Sequence, residues 1–451
     1  MTRCQTFHSN FRFAELAMTL HQLVRPHRQN IRGLALDFSW WIWFVATAAL
    51  YFLDIIPTLP VIVFMAGSLI YVLARPGLAI RAIFSTWVPW IYVIFAALSV
   101  LWSQFPDWTL RASIQYIFST GTFLVMVHAL PAKSFVTVCL SALLVADAAS
   151  LANPRMAWNA QGLAMIGIFG SKNSFGLVQA LLIQFSVWVL LDRSQPRLLR
   201  GLAVIGVIGG AFLIKAALAV GATVALFGAL ACAFLAFNLG RFPPRSRVII
   251  LCGGGLVIAI LCGFLIVLSD ELFQGALQFT GKSSSLSDRT PLWDVAKKMM
   301  EDYPIGGVGF EAFWQHGNVY AEDLWRRFQP ARAGYHFHNL WYQSAVDLGY
   351  IGLGLAILTV AITAIEVMRW VFRSPSPTSC FFFGFVVFIT LRSTLEVDLF
   401  AQFSIMGAIF TAAFVYARQS RERHEAQQRG RMEAEKQIGA ISIQPSAELI
   451  R

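Results

Sequence analysis

Long apolar runs, repeated down most of the chain, constrain this sequence before any motif does. They fall at about 38–54, 58–74, 84–101, 110–130, 134–151, 174–191, 201–218, 221–239, 248–268, 346–368, 379–391 and 399–417, and spanning a bilayer takes about 20 residues. Composition agrees. Of the 451 residues 57% are apolar and only 13% charged, and mean hydropathy is +0.63; a soluble domain has about 25% charged residues. Such a chain cannot cover a water-facing surface, so lipid must solvate much of it. The expectation is an all-α integral membrane protein of about twelve transmembrane helices, with one long periplasmic loop that contains amphipathic helices. No Ala-x-Ala-like cleavage site follows a short apolar core near the start, so the first segment is expected to stay in the mature protein.

The net charge of +11 comes from 35 Lys+Arg against 24 Asp+Glu. The basic residues sit largely in short loops beside apolar segments. One set of loops holds Arg75, Arg81, Lys133, Arg193, Arg197, Arg200, Arg241, Arg245, Arg247, Arg369 and Arg373, and both tails add more, giving 23 of the 35 on one side. Basic loops stay in the cytoplasm, which puts both termini there. No basic helix or stacking-aromatic module is present, so nucleic acid is not the partner. The chain then divides into a cytoplasmic basic tail (1–37), nine spans (38–268), a periplasmic catalytic loop (269–338), three spans (339–417) and a cytoplasmic tail (418–451). Within 201–239 the sequence is almost continuously apolar, with Lys215 inside it and Gly221 as the expected turn. Six cysteines show no Cys-x-x-Cys spacing and avoid the long loop, which argues against a disulfide framework or a thiolate zinc site there.

This topology gathers nearly all the candidate chemistry on the opposite face. In the long loop Thr290 can cap a helix and Pro291 suits its first turn. Leu292, Val295, Ala296 and Met299 recur at helical spacing to give an apolar face. Pro304, Gly306, Gly307 and Gly309 end that helix. With no strand before them and no Lys-Ser/Thr after them, the glycines read as a flexible turn rather than a phosphate loop. His336 and His338 alternate, and His338 and Asn339 stand where the next helix begins. A His-x-His pair could bind metal, with Glu396 and Asp398 as carboxylates from the 392–398 loop, but no third ligand shows convincing spacing; a structural and a catalytic histidine are the other readings. Trp102, Trp108, Trp314, Trp325 and Trp341 suit either sugar stacking or an interfacial belt.

At these residues the chain resembles the O-antigen ligase/polymerase family, in particular its exopolysaccharide-polymerase branch. The pieces that carry the resemblance are LSVLWSQFPDWTLRAS, GIFGSKNSFG, SDRTPLW followed by PIGGVGFEAFW, His338 followed after ten residues by Gly349, and RSTLEVD. The resemblance implies a bacterial inner-membrane enzyme that uses undecaprenyl-pyrophosphate-linked oligosaccharide without metal or other cofactor, beside flippase and chain-length regulator proteins. It implies Arg289 as a diphosphate-binding arginine and His338 as the catalytic histidine, with Lys172, Asn173, Lys215, Asn339, Arg392 and Glu396 as substrate-binding residues. Two positions depart from the family pattern: Trp293 stands where leucine is expected, and Gly221-Ala222-Thr223 lacks a basic residue, for which Lys172 or Lys215 could substitute. The second favours polymerase over ligase.

These residue types suit the implied reaction. Arginine holds a departing diphosphate through paired, charge-assisted hydrogen bonds, and a sugar hydroxyl benefits from a base such as histidine. A transporter or flippase is the rival from another class. It should carry ionisable residues near the midplane, where Asp147 and Lys215 are the candidates.

Overall fold

In lipid every backbone N–H and C=O must be paired within the protein, so apolar runs of this length fold as helices. The computed structural model describes residues 37–159, 162–240, 242–243, 246–247, 249, 289–328 and 335–442. The N-terminal tail, the first part of the long loop and, but for Ile249, the expected span at 248–268 lie outside them. The described residues contain fourteen α-helices: α1 (Phe38–Leu50), α2 (Thr58–Ala74), α3 (Pro76–Ile83), α4 (Val88–Leu98), α5 (Pro106–Ala129), α6 (Ala132–Ala152), α7 (Lys172–Leu191), α8 (Arg197–Ala216), α9 (Val220–Leu239), α10 (Thr290–Asp302), α11 (Val319–Phe328), α12 (Leu340–Arg373), α13 (Pro377–Arg392) and α14 (Ile405–Ser442).

Six of these (α5 to α9 and α12) are long and apolar enough to cross a bilayer, and α2 with α3, bent by 110° between them, makes up to seven. Shorter apolar helices are α1, α4 with its 3₁₀ extension, and α13. Ile62, Ile208, Phe212 and Phe227 face outward from their helices, while Trp43, Phe135, Phe185, Phe381 and Ile409 fill the interior. Apolar outside and inside alike is the pattern of a lipid-solvated bundle.

Local structure departs from expectation at several corners. The turn in 201–239 lies at residues 217–219, where Leu218 adopts φ 52°, and Gly221 is already inside α9. The reason is close packing. A Cβ on Gly176 of α7 would lie 2.2 Å from the Cβ of Ala219, so the bare glycine lets this corner settle on α7. The chain is also not wholly α. A two-stranded antiparallel hairpin, β1 (Met156–Asn159) and β2 (Gly162–Met165), pairs Met156 with Met165. Arg155 ties its base by donating from Nε to the Gly167 carbonyl at 2.8 Å and from Nη2 to that of Phe169 at 2.9 Å.

The described part of the long loop has its own apolar core. Leu292, Ala296 and Met299 of α10 meet Leu324 and Trp325 of α11, together with Phe313, Trp314 and Phe337. The expected apolar face of α10 is therefore real, but Thr290 does not cap it: Arg289 holds the cap position, with no side-chain cap bond. Trp314 and Trp325 are core residues rather than belt or sugar platforms.

The glycine turn is tight rather than loose. Val308 and Gly309 N–H donate to the carbonyls of Val346 and Asp347 at 3.0 and 2.8 Å, and Tyr350 N–H donates to that of Pro304 at 2.7 Å. α12 is broken at Gly349 (φ 66°, ψ −168°), where a Cβ would stand 2.2 Å from the Ile305 carbonyl oxygen.

Loops assigned to one face are tied to one another. Trp102 Nε1–H donates to the Gly306 carbonyl at 2.8 Å, and Phe310 N–H to Ser99 Oγ at 2.9 Å. At the basic end Arg421 pairs with Glu366 at 2.8 Å, Arg418 donates to Thr86, and Lys133 pairs with Asp192 at 3.2 Å.

Candidate active site

Three separate stretches of chain converge on one carboxylate, Glu396, which lies in the loop after α13 and is 7% exposed. Arg289, at the start of α10, donates from Nη2 to Glu396 Oε1 at 3.0 Å and from Nη1 to the Leu395 carbonyl at 2.9 Å. Asn173, in the first turn of α7, donates its amide N–H to the same Oε1 at 2.8 Å. His338, two residues before α12, places Nδ1 3.1 Å from Oε2, and His336 Nε2 lies 3.9 Å from it.

Burial by itself would raise the Glu396 carboxyl. The hydrogen bond and charge of His338, then His336 and Arg392, outweigh it and bring its pKa down to about 2. Ionised, Glu396 can only accept, so Nδ1 of His338 carries a proton, and in the neutral ring Nε2 is then the acceptor. No described protein group takes that nitrogen. His336 has the opposite tautomer: its Nδ1 accepts the backbone N–H of His338 at 3.1 Å. Burial, then the neighbouring His338, lowers its pKa to about 3; Glu396 pulls upward, while Arg289 and Arg392 add to the lowering. His338 itself sits at φ 50°, a left-handed backbone that costs a non-glycine residue on the order of 1–2 kcal/mol. The Trp293 indole N–H helps hold this segment by donating to the Phe337 carbonyl at 2.9 Å.

Not every residue expected to touch substrate stands in the cluster. Arg392 is 3% exposed and forks onto Asp398, with Nε 2.7 Å from Oδ2 and Nη2 3.3 Å from Oδ1, so it shapes the loop that presents Glu396. Asn339 caps α12, its Oδ1 accepting the N–H groups of Trp341 and Tyr342, and its amide donates to the Thr394 carbonyl at 3.1 Å. Lys172 opens α7 next to Asn173 and is half-buried. Lys215 is exposed in the last turn of α8 and is not among the residues that bond Glu396. Sequence reasoning missed Trp293 as a support of His338. It registered only as a departure from a motif.

What the arrangement can do follows from its parts. A histidine oriented by a buried carboxylate, with Nε2 as the acceptor of its neutral form, stands beside a guanidinium that has spent two of its five N–H donors. That pairing can take a proton from a hydroxyl and hold an anionic leaving group at one place. The same geometry also gathers three potential metal ligands, His336, His338 and Glu396, whose donor atoms all lie within 4.8 Å of one another.

The sequence model of the O-antigen ligase family matches residues 211–357. The chain is also 26% identical over 329 residues to the exopolysaccharide production protein ExoQ of Rhizobium meliloti (strain 1021), covering 70% of this chain and 74% of that protein. Together these matches support the O-antigen ligase/polymerase family for this multi-pass membrane protein.

Proposed function

From that family as premise, we propose that the protein is a polysaccharide polymerase that transfers a glycan from undecaprenyl pyrophosphate to another lipid-linked repeat unit. The carrying observation is the meeting of Arg289 and His338 on Glu396, from opposite ends of one loop. In this reading the acceptor hydroxyl gives its proton to His338 Nε2 as its oxygen bonds to the donor's anomeric carbon. The bond from that carbon to phosphate oxygen breaks, and the diphosphate leaves with the electron pair against the free N–H groups of Arg289. Glu396 stabilises the imidazolium so formed, as a carboxylate does in a Ser-His-Asp triad. Asn173 holds Glu396 in place, Arg392 and Asn339 hold its loop and the start of α12, and Lys172 and Lys215 add positive charge on the same face. The substrate sits at the periplasmic side of the inner membrane in a fold of twelve spans, with flippase and chain-length regulators as neighbours. Purified protein in bilayers, supplied with lipid-linked repeat units, should build a ladder of longer products. Products that stop at one transfer to a different acceptor would point to a ligase instead.

The triad of potential ligands favours a second reading, metal-assisted transfer. Against it, Arg289 places a positive charge 3.0 Å from the carboxylate a metal would need. Elongation should persist in excess chelator. Activity lost to chelator and restored by a divalent ion would reassign His336, His338 and Glu396 as ligands.

A further inference from the structure

Apart from the Glu396 cluster, the long loop and the segment before α5 form a concave site. A cleft of about 300 Å³ lies where α10 ends, lined by Gln104, Phe105, Asp302, Tyr303, Asn318 and Tyr320 among others. Ligand pockets run from about 300 to 1,000 Å³, so the cleft has room for a small ring compound. Its lining combines aromatic rings with an amide, a second amide and a carboxylate, and contains no Lys or Arg. Lys298 lies beside the cleft, over the Tyr320 ring, and is not part of the lining. A neutral polyhydroxylated ring would find both an apolar face to lie on and groups that give and take hydrogen bonds.

The walls are pinned in advance. Gln104 N–H donates to the Val308 carbonyl at 2.9 Å, and Asn318 Oδ1 accepts from Tyr320 N–H at 3.0 Å, with the Lys298 ammonium 5.0 Å above the Tyr320 ring. Among the described residues the Asn318 amide N–H groups and the Tyr303 hydroxyl make no hydrogen bond, and Tyr303 is 42% exposed. The cleft sits at the far end of α10 from Arg289. The twelve residue steps from Thr290 to Asp302 span about 18 Å along the axis.

We propose that this cleft is a carbohydrate subsite that holds a sugar of the glycan several rings away from the bond being made. This rests on the glycan-transfer reading above and extends it. Binding energy from so remote a ring keeps a growing chain in register with the reacting end, and so sets how long the polymer grows before release.

The test uses full-length protein in lipid nanodiscs and, as probe, oligosaccharides made by partial hydrolysis of the polymer that the same cells produce, titrated by calorimetry. Wild-type protein should bind them saturably. Tyr303→Ala and Asp302→Asn should each weaken binding tenfold or more, and Tyr303→Phe, which keeps the ring, should stay within threefold of wild type. Arg289→Lys should leave fragment binding within twofold, since the fragments carry no diphosphate. In cells, Tyr303→Ala should shorten the polymer while protein level holds. No saturable binding to wild type, or unchanged binding in both Tyr303→Ala and Asp302→Asn, overturns the subsite and leaves the transfer reading standing. Conversely, normal polymer from His338→Ala and Arg289→Lys, alongside cleft-dependent fragment binding, removes the transfer reading and keeps the subsite.

Discussion

His338 combines a bare ring nitrogen with a strained backbone, and its neighbours explain how it keeps both. His336 accepts its backbone N–H, and Glu396 fixes its tautomer. His338→Ala should therefore lower transfer by about 10²–10⁴, the range for a general acid–base group. Glu396→Gln should cost a similar order, because an amide can present the wrong atom to Nδ1. Both are measured as polymer formed per unit of membrane protein, and near-normal output from either removes it from the mechanism. The pH dependence has a definite sign. Glu396, held at about 2 against an ordinary 4.5, stabilises fully above about 4.5 and loses that contribution progressively as pH falls from there through about 2. His336, lowered from 6.5 to about 3, stays neutral while the unfolded chain takes a proton, so stability rises with pH between those values. His336→Gln should flatten the fall in melting temperature between pH 6.5 and 3; an unchanged slope would show that His336 is not held neutral. The motif resemblance named Arg289, His338, Asn173 and Glu396 in the sequence, but nothing there made Glu396 their meeting point. Asn173 and Glu396 are 223 residues apart, and spacing carries no record of which loops touch.

At the scale of elements, the helices were legible and their ends were not. Hydropathy marks an apolar run wherever it occurs, so each apolar run among the described residues overlaps a helix, and six of these helices, or seven spans with α2 and α3 as one, are long and apolar enough to cross a membrane. Corners depend on which backbones approach, and this hid Leu218, the hairpin at 156–165 and the late start of α14 at Ile405. The break in α12 is of the same kind. Gly349 stands eleven residues after His338, and only a residue without Cβ fits both its positive φ and its contact with Ile305. Gly349→Ala should cost at least about 2 kcal/mol, from left-handed backbone and backbone overlap together. It should lower both the melting temperature and the amount of protein recovered from membranes. Trp293→Phe makes the contrasting case. It keeps the ring in place but loses the bond to the Phe337 carbonyl, so polymer output should drop several-fold at normal protein level. Equal losses of output and protein level would make Trp293 a packing residue only.

For the whole molecule, basic loops bind one another at one end and the candidate chemistry collects at the other. Reporter fusions after Trp314 should read periplasmic, and those after Arg197 and Arg373 cytoplasmic; a cytoplasmic signal at Trp314 would invert the orientation and sink the proposed chemistry with it. The convergence on Glu396 also bears on how the protein matures. A ribosome that has made the first 392 residues has already supplied the asparagine, the arginine and both histidines. Until residue 396 follows, Arg289 has no carboxylate to share and His338 has nothing to fix its proton on Nδ1. On the proposed transfer reading, competence would thus arrive late in synthesis and all at once, and a stalled or truncated chain would be inert toward its donor instead of wasting it by hydrolysis.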